Sequence, residues 1–585
     1  MTRLASLLLA CLLAPMSILG NSSALAGVQE RAGPEILPGA GLSGTQAIAA
    51  PADAAGLDAA IAERLAEGRR TVAGRPVGVE TLRRLYAQRG FAPVWVGSGS
   101  VHAAAQALLE ALDGAEAEGL TAADYHPDHI AERLSALPRL TLAERAELDL
   151  LLTDAALRYG SHLRSGRVAP KAINPEFAIT PPRVEPATLL SGLLGASDVR
   201  AYVQALAPSR SEYGALKTAL RQYRDLAAAG GWPAVPSPRV AKLEPGMTDP
   251  AVKALRKRLA VTGEYKGDVK SKAGDLYDPP LKAAVERFQA RHGLTVDGVV
   301  GPGTLTALNM PASERVEQIL SNLERLRWLP DSFGDRYVLV NIPEFTLKAF
   351  DGGAVAREMR VIVGTPVRAT PIMSSTITSV TLNPTWTMTP KLAREDYLPK
   401  FIRDPSYVTS HNFTVFASWA PDAPALDPRR INWKTLGNGI NKLRIRQAPG
   451  PENALGQIKF NIPNAFDVYL HDTPGREKFD KTVRIFSSGC VRLGDPMALA
   501  EFVFSETPDW PLDRRNRQLD SGETKIVPLK KAVPVHLLYQ TAWVDGHGAV
   551  QFRTDVYGRD AEVLDGIARR GFAPQRVQRV ADAQR

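Results

Sequence analysis

The chain has 585 residues, of which 44% are hydrophobic, and 71 basic against 62 acidic residues give it a formal net charge of +9. This length predicts about three or four domains, each with a core of its own. The positive charge is modest and scattered, with no dense Lys/Arg run, which argues against nucleic acid as a partner.

Residues 1–26 have the pattern of an export signal. A single charge at Arg3 precedes an apolar run, and small residues follow up to Ala26. The apolar run is shorter than the roughly 20 residues that span a bilayer, and no later stretch is long and apolar enough to do so. We expect the signal to be cleaved after Ala26, which would release the protein into the periplasm. An uncleaved signal would instead attach the protein to the inner membrane.

The next segments predict a tether and a helical domain. Residues 27–55 are rich in Ala, Gly, Pro and Ser, as flexible linkers are. From 56 to 232, apolar residues recur at three- and four-residue spacing, which predicts an all-helical scaffold. Three histidines in this region, at positions 126, 129 and 162, have no metal-ligand spacing around them, so we interpret them as ordinary surface or core residues.

Residues 243–309 predict a compact module of three helices. The ordered pieces "LEPG", "AVKALRKRL", "AVERFQARHGL", "TVDGVVGPG" and "TLTAL" resemble the peptidoglycan-binding domain of cell-wall enzymes. The resemblance implies docking onto murein, and the alternative is a helical module that has lost its ligand. Residues 310–335 are expected to form a helical connection back to the scaffold.

From residue 336 the sequence becomes rich in β-branched and aromatic residues. Stretches such as "YVLVNIPEFTLKAF" and "SSTITSVTLNPTW" alternate in part and predict a mainly antiparallel β domain over 336–585. Within it, the segment from about 399 to 450 is expected to form an inserted cap. The segment from about 508 to 585 is expected to form a C-terminal β extension, with a hairpin turn at "DGHG". The predicted fold class is therefore multidomain α+β.

A single cysteine remains once the signal is removed. Cys11 lies within the signal, so Cys490 has no partner, and an unpaired cysteine in an exported protein suggests a reactive thiol or an intermolecular bond. A buried, inert cysteine is the alternative. Polar residues and a glycine precede it in "SSGC", and the amides of Gly489 and Cys490 could converge as donors to an oxyanion beside the sulfur.

A thiol nucleophile needs a neighbouring base. Of the four histidines in the β domain, at 411, 471, 536 and 547, His471 directly follows the strand pattern "FDVYL", so its ring can project into a cleft. We therefore expect His471 to be the base and a thiolate–imidazolium pair to be the resting state. A core histidine with satisfied hydrogen bonds is the alternative.

The stretch "YLHDTPGREKFDKTVRIFSSGCVRLGDP" resembles the active-site signature of L,D-transpeptidases of the YkuD type, in the large form with a helical scaffold and a peptidoglycan-binding domain. Supporting stretches include "LYAQRGFAPVW", "VNIPEFTL", "VGTPVRATPIMSSTITSVTLNPTWTMTP" and "RQAPGPENALGQIKFNIPN". Many relatives have histidine where this chain has Ser488, which puts a role for that second histidine in doubt here.

The resemblance implies a reaction on murein stem peptides without a cofactor or metal. Cys490 would attack a donor tetrapeptide, release D-alanine and pass the acyl group from a thioester to an acceptor stem, with His471 as base. The carbonyl of Asp472 would orient the imidazole, and Arg492 would hold an acidic group of the stem or brace the loop. The other residues expected to line the cleft are Tyr469, Ser487, Ser488 and Trp386, the last with core packing as an equal alternative.

Three other functions stay open at this point. Water could capture the same thioester, which would give an L,D-carboxypeptidase or cross-link hydrolase. The β domain could have decayed, leaving a non-catalytic murein-binding scaffold protein. A zinc hydrolase would need an H-E-x-x-H or paired Cys/His pattern, which the sequence lacks. Other cell-wall synthesis enzymes are expected as partners.

Overall fold

The computed structural model describes residues 54–97, 99–269 and 274–570. The predicted signal at 1–26 and nearly all of the predicted linker at 27–55 lie outside the described residues. Within the described part, every helix is too short or too polar to cross a membrane.

The first described region is helical, as the apolar spacing predicts. Its longest helix carries a capping box in which Thr141 and Glu144 satisfy each other's backbone amides, and most of its length is buried. The helices are α1 (Leu57–Ala66), α2 (Val79–Gln88), α3 (Ala104–Asp113), α4 (Pro127–Ser135), α5 (Leu142–Ser165), α6 (Pro170–Ile173), α7 (Pro186–Gly195), α8 (Val199–Leu206) and α9 (Ser211–Ala228). Three two-residue strands accompany them, namely β1 (Thr71–Val72), β2 (Arg75–Pro76) and β3 (Phe177–Ala178).

A three-helix module with a core of its own follows. It consists of α10 (Ala251–Val261), α11 (Pro279–Arg291) and α12 (Pro302–Asn309), so the three predicted helices are confirmed. Asp278 caps α11 by accepting a hydrogen bond from the Leu281 amide at 3.1 Å. A further helix, α13 (Ala312–Arg327), occupies the segment predicted to be a helical connection.

The β domain is built around a closed ring of eight strands. The pairings run β12–β13–β15–β6–β5–β4–β16–β7 and return from β7 to β12, and six of these eight pairings are antiparallel. The strands are β4 (Arg336–Asn341), β5 (Thr346–Asp351), β6 (Ala354–Gly364), β7 (Ile372–Leu382), β12 (Ile458–Asn461), β13 (Leu470–His471), β15 (Val491–Leu493) and β16 (Lys525–Leu538), with β14 (Ile485–Ser487) beside β6. The mainly antiparallel β domain is confirmed.

Two strands of this sheet come from unexpected parts of the chain. Strand β3, from the helical region, pairs with β7 at Ile372–Met373. Strand β16 belongs to the segment predicted to be a C-terminal extension, yet it lies inside the ring between β4 and β7. The ring therefore cannot close without the last part of the described chain.

A smaller unit with its own core forms the insertion. Its four-stranded sheet consists of β8 (Trp386–Thr387), β9 (Phe413–Phe416), β10 (Ala425–Leu426) and β11 (Arg444–Gln447). Short helices surround it: α14 (Pro390–Leu392), a π-helical turn (Ala393–Tyr397), α15 (Leu398–Arg403), α16 (Tyr407–Ser410) and α17 (Trp433–Leu436). The core extends from Trp386 to Leu455, so this cap starts earlier than the sequence pattern suggested.

The chain ends in a hairpin and a helix that pack on the connection α13. Helices α18 (Pro496–Phe504) and α19 (Leu512–Asp520) precede β16, and β17 (Ala542–Val544) and β18 (Val550–Phe552) form the predicted hairpin, which is confirmed. Helix α20 (Arg559–Arg570) lies against α13, where Arg325 and Asp560 form an ion pair at 2.5 Å.

Candidate active site

Strand register brings the predicted site residues to one face of the ring. Strands β13 and β15 are parallel, with Leu470 opposite Val491 and His471 opposite Arg492. Leu470 and Val491 are buried in the core, and neighbouring residues of a strand point to opposite faces. The outer face at this point therefore carries His471, Arg492 and the residues that precede the two strands, Tyr469 and Cys490.

The sulfur of Cys490 lies at the start of β15, half-buried. Its Sγ is 3.9 Å from the carbonyl oxygen of Asp467, and the hydroxyl and backbone amide of Tyr469 also interact with it. Cys490 and His471 are diagonal neighbours across the strand pair. Among the described residues no hydrogen bond joins Sγ to the imidazole, and the Sγ contact with a carbonyl is to Asp467.

The imidazole of His471 is held in one tautomer. Its Nδ1 lies 2.5 Å from the backbone carbonyl oxygen of Asp472. A carbonyl oxygen only accepts hydrogen bonds, so Nδ1 carries the proton and Nε2 is left as the basic nitrogen. The ring is 4% exposed and packs edge-on against Tyr469. The other histidines of the domain lie elsewhere: His411 stacks on Tyr407 in the cap, His536 is on β16 and His547 is in the hairpin turn.

The side chain of Asp472 fixes the carbonyl that holds the imidazole. Its carboxylate accepts hydrogen bonds from the amides of Gln457 at 2.9 Å and Thr473 at 2.7 Å, and it pairs with Arg476. Gly456, with φ of +58°, packs so closely on this carboxylate that a Cβ there would lie 2.3 Å from Oδ2. Asp472 is thus anchored on several sides, and its carbonyl has little freedom to move.

The loop before Cys490 differs from the arrangement expected from sequence. The Gly489 amide donates to Ser487 Oγ at 3.2 Å, so it does not converge with the Cys490 amide as an oxyanion donor in this conformation. Ser487 Oγ in turn donates to the Cys490 carbonyl at 2.5 Å, and Ser487 is buried. Both hydrogen bonds of Ser487 brace the loop, and a contact of Ser487 with substrate stays a prediction. Among the described residues the Cys490 amide has no hydrogen-bond partner, which leaves it as the available donor.

The side chain of a buried threonine holds this loop through hydrogen bonds. Thr370 Oγ1 donates to the Gly489 carbonyl at 2.8 Å and accepts from the Gly364 amide at 2.9 Å. Gly489 has a φ of +113°, a region that strongly favours glycine. A Cβ at Gly364 would lie 2.1 Å from the Arg368 carbonyl, so this position also requires glycine.

Burial shifts the pKa of both members of the candidate pair toward the neutral form. Burial and the positive charges of Arg492 and Lys459 lower the pKa of His471 to about 3, with an opposing effect from its bond to the Asp472 carbonyl. Burial also raises the pKa of the Cys490 thiol above its ordinary value, an effect that Tyr469, Lys459 and Arg492 only partly offset. In this conformation desolvation favours the neutral thiol and the neutral imidazole, whereas the sequence predicts a thiolate–imidazolium pair.

Two cations flank His471 on the outer face. Arg492 is its neighbour on β15, and its Nε is buried without a hydrogen-bond partner among the described residues. Lys459 is its neighbour on β12, with Nζ 4.1 Å from the centre of the Tyr469 ring. Sequence reasoning missed Lys459. The alternation in "QIKFN" was the available signal, because a lysine between two core residues of a strand must face outward.

The cap contacts this face through aromatic and charged residues. Tyr469 packs against the core of the cap, and the Trp386 side chain interacts with its hydroxyl. Trp386 is 8% exposed, so core packing accounts for most of its surface. At the rim, Arg368 donates to Ser488 Oγ at 3.1 Å and pairs with Asp396 of the π-helical turn at 2.6 Å. Ser488 is thereby linked to the cap.

Metal-binding residues do not cluster anywhere in the described part of the chain. It holds no group of three or more His, Cys, Asp or Glu residues able to bind a metal ion.

Comparison with known proteins identifies three domains. Residues 335–509 match the family model of the YkuD "L,D-transpeptidase catalytic domain", residues 248–308 that of the "Putative peptidoglycan binding domain", and residues 80–220 that of the "Scaffold domain". The chain is 38% identical over 251 residues to a "Putative L,D-transpeptidase" of Haemophilus influenzae. This match covers 43% of the chain and 50% of the relative, so it spans about half of the curated protein's length.

Solved structures of L,D-transpeptidases show a more distant likeness. One from Mycobacterium smegmatis is 13% identical, with 35% of this chain and 58% of that chain covered and a TM-score of 0.18. One from Stackebrandtia nassauensis is 14% identical, with 52% of this chain and 97% of that chain covered and a TM-score of 0.20. The assignment rests on the family models and the curated relative: the chain carries a YkuD L,D-transpeptidase catalytic domain together with a scaffold domain and a peptidoglycan-binding domain.

Proposed function

We propose that this protein is a periplasmic murein L,D-transpeptidase that forms third-to-third-position cross-links through a thioester on Cys490. The observation that carries the proposal is the shared strand face, on which a half-buried thiol, an imidazole of fixed tautomer and an unpartnered arginine lie together beneath a cap. The catalytic-domain family supports an enzyme that acts on peptidoglycan.

The first half-reaction starts from a neutral pair. A donor stem tetrapeptide presents the carbonyl of its third residue to Cys490, whose proton passes to Nε2 of His471 as Sγ attacks the carbonyl carbon. The amide bond to D-alanine then breaks, and the leaving nitrogen takes the proton back from Nε2. A thioester and free D-alanine result, with no net change in the charge of the pair.

The second half-reaction reverses the proton transfer. The side-chain amine of an acceptor stem attacks the thioester carbon, and Nε2 of His471 accepts a proton from that amine. The carbon–sulfur bond breaks, the sulfur leaves as a thiolate, and the imidazolium protonates it. A thioester retains enough carbonyl reactivity for an amine to attack it, so the reaction needs no ATP.

The developing oxyanion needs donors that are free in the resting state. The Cys490 amide is one, since it has no acceptor among the described residues. The Gly489 amide could join it only by giving up its hydrogen bond to Ser487 Oγ. The loop is braced by Thr370 while this happens, because the Gly489 carbonyl is held at 2.8 Å.

The unpartnered guanidinium suits Arg492 to hold a carboxylate of the stem. A buried Nε without a hydrogen-bond partner is unfavourable, and a substrate carboxylate would satisfy it. The peptidoglycan-binding domain would hold the chain on murein while the catalytic domain acts.

The test is product analysis with purified muropeptides. Wild-type protein is incubated with disaccharide-tetrapeptide, and the products are separated and weighed by mass spectrometry. We expect cross-linked dimers and released D-alanine, and no product from Cys490→Ala. Tripeptides without dimers would instead show that water captures the thioester, which would make the protein an L,D-carboxypeptidase. Turnover by Cys490→Ala would contradict the proposal.

A further inference from the structure

Lys459 occupies a position on the outer face that the proposed mechanism leaves without a task. It lies on β12 directly opposite His471, and the register places its side chain on the same face as the imidazole. Its neighbours in the strand, Ile458 and Phe460, are buried in the core. Lys459 is half-buried, and among the described residues no carboxylate forms an ion pair with it.

The ammonium group is held rather than free. It lies over the ring of Tyr469, 4.1 Å from the ring centre, and so makes a cation–π contact with that ring. The groups whose negative charge would act on it are the Cys490 sulfur, when ionised, and the carboxylate of Asp467, an exposed residue. An oriented ammonium without a close counterion, beside the catalytic histidine, is suited to binding an anion.

The strand order gives the outer face a direction. Cys490 adjoins β15, His471 is on β13 and Lys459 is on β12, and these strands are adjacent in that order. Neighbouring strands lie about 4.8 Å apart. The register places Lys459, His471 and Arg492 in one row across these strands, and the Lys459 ammonium lies over Tyr469, the residue opposite Cys490.

The leaving group must lie close to this row. Its nitrogen is bonded to the carbon that Cys490 attacks and receives a proton from His471 Nε2, so it lies beside the imidazole. In a D-amino acid the α-carboxylate is two bonds from that nitrogen, with its oxygens within about 4 Å of it. The carboxylate therefore lies near His471, in the region that Lys459 and Arg492 flank.

We propose that Lys459 binds the terminal α-carboxylate of the donor stem and thereby selects donors that end in a free D-amino acid. This inference rests on the proposed function. Lys459 acts as a positioning residue, because its contact with the leaving group sets the scissile bond between Cys490 and His471. Arg492, on the opposite flank, remains available for a carboxylate of the third residue.

The experiment compares two donors that differ only in this charge. One is the stem tetrapeptide with a free C-terminal carboxylate, and the other is the same peptide with a C-terminal carboxamide. Acylation of Cys490 is followed by intact-protein mass spectrometry, and kcat/KM is measured for each donor. Wild type is compared with Lys459→Met, with the conservative Lys459→Arg, and with Lys434→Met, which removes an exposed lysine of the cap.

We expect wild type and Lys434→Met to prefer the carboxylate donor by roughly tenfold to a hundredfold, the usual value of a hydrogen bond to a charged group. Lys459→Met should lose this preference through slower acylation by the carboxylate donor, with the carboxamide little changed, and Lys459→Arg should restore much of it. An equal loss with both donors would overturn the inference and indicate a structural role. An unchanged preference in Lys459→Met would also overturn it while leaving the proposed function intact. Absence of any Cys490 adduct in wild type would overturn both.

Discussion

Two strands of the same ring each bury a histidine, and only one of them is part of a candidate active site. His471 on β13 and His536 on β16 are 4% and 7% exposed, and each has Nδ1 bound by a nearby oxygen. Burial lowers the pKa of His471 to about 3 and that of His536 to about 4. Burial and a depressed pKa therefore do not distinguish a catalytic histidine from a structural one in this fold.

The difference lies in what surrounds each ring. His536 stacks on Phe333 at 4.0 Å and faces Tyr337, and its ring contacts are aromatic. His471 is flanked by Lys459 and Arg492, diagonal to a half-buried thiol and close to a cap with its own core. A thiol and two cations on one strand face, rather than the histidine itself, mark the candidate site.

Replacing each histidine by alanine tests this comparison with the largest expected effect. His471→Ala should slow acylation of Cys490 by about 10²–10⁴-fold, the usual contribution of a general base. His536→Ala should leave the acylation rate within a few-fold and instead lower the free energy of unfolding by about 1–3 kcal/mol, through lost packing on Phe333. Rates come from intact-protein mass spectrometry, and stabilities from urea unfolding. Equal rate losses in the two variants would contradict the distinction.

The unpartnered arginine predicts the next largest effect. Arg492→Met should lower kcat/KM for the donor stem by roughly tenfold to a hundredfold, because a charge-assisted contact to a carboxylate is lost. The control is Arg360→Met, since Arg360 is an exposed arginine on adjacent β6 that pairs with Asp480 on the surface. If both variants lost activity equally, Arg492 would have a general electrostatic role rather than a contact with substrate.

The pH dependence of stability tests a property that the two histidines share, namely their lowered pKa. Both histidines titrate near a pKa of about 6.5 in the unfolded chain, and at about 3 and about 4 when folded. The unfolded state binds more protons in that interval, so the free energy of unfolding falls as the pH drops below about 6.5. Replacing either histidine should make this fall shallower by about 1 kcal/mol or more between pH 7 and pH 4.5. Urea unfolding of wild type and each variant measures the difference, and parallel curves would show that the replaced histidine does not titrate in this way.

The link between the cap and the catalytic loop predicts the smallest effect. Arg368 contacts Ser488 and pairs with Glu395 and Asp396 of the cap, and these ion pairs raise its pKa. Arg368→Gln should change the acylation rate by about twofold to fivefold, as partly exposed ion pairs contribute up to about 1 kcal/mol. Arg394→Gln, which removes a contact to Glu395 alone, should have less effect. Wild-type rates in Arg368→Gln would show that the link does not position the loop.

The sequence led directly to some parts of this site and could not lead to others. Cys490 and His471 stand in one continuous motif, so local pattern was enough to select them. Lys459 becomes their neighbour only through the pairing of β12 with β13, and no local pattern specifies that register. The same limit applies to β16, which looked like an appendage and closes the ring.

The charge state was the other feature beyond reach of the sequence. A thiol beside an imidazole suggests a thiolate–imidazolium pair, but the degree of burial decides which form is stable. Here burial raises the pKa of Cys490 and lowers that of His471, and the proposed mechanism therefore starts from a neutral pair. The Gly489 amide was similarly assigned to the oxyanion without knowledge that Ser487 already accepts its hydrogen bond.

The most direct measurement is the mass of the intact protein after a brief exposure to a tetrapeptide stem, followed by peptide mapping. The account predicts an increase equal to the stem minus D-alanine, located on Cys490, in wild type and His536→Ala. The adduct should be absent from Cys490→Ala and strongly reduced in His471→Ala. An adduct on another residue, or one that forms equally fast without His471, would contradict the account.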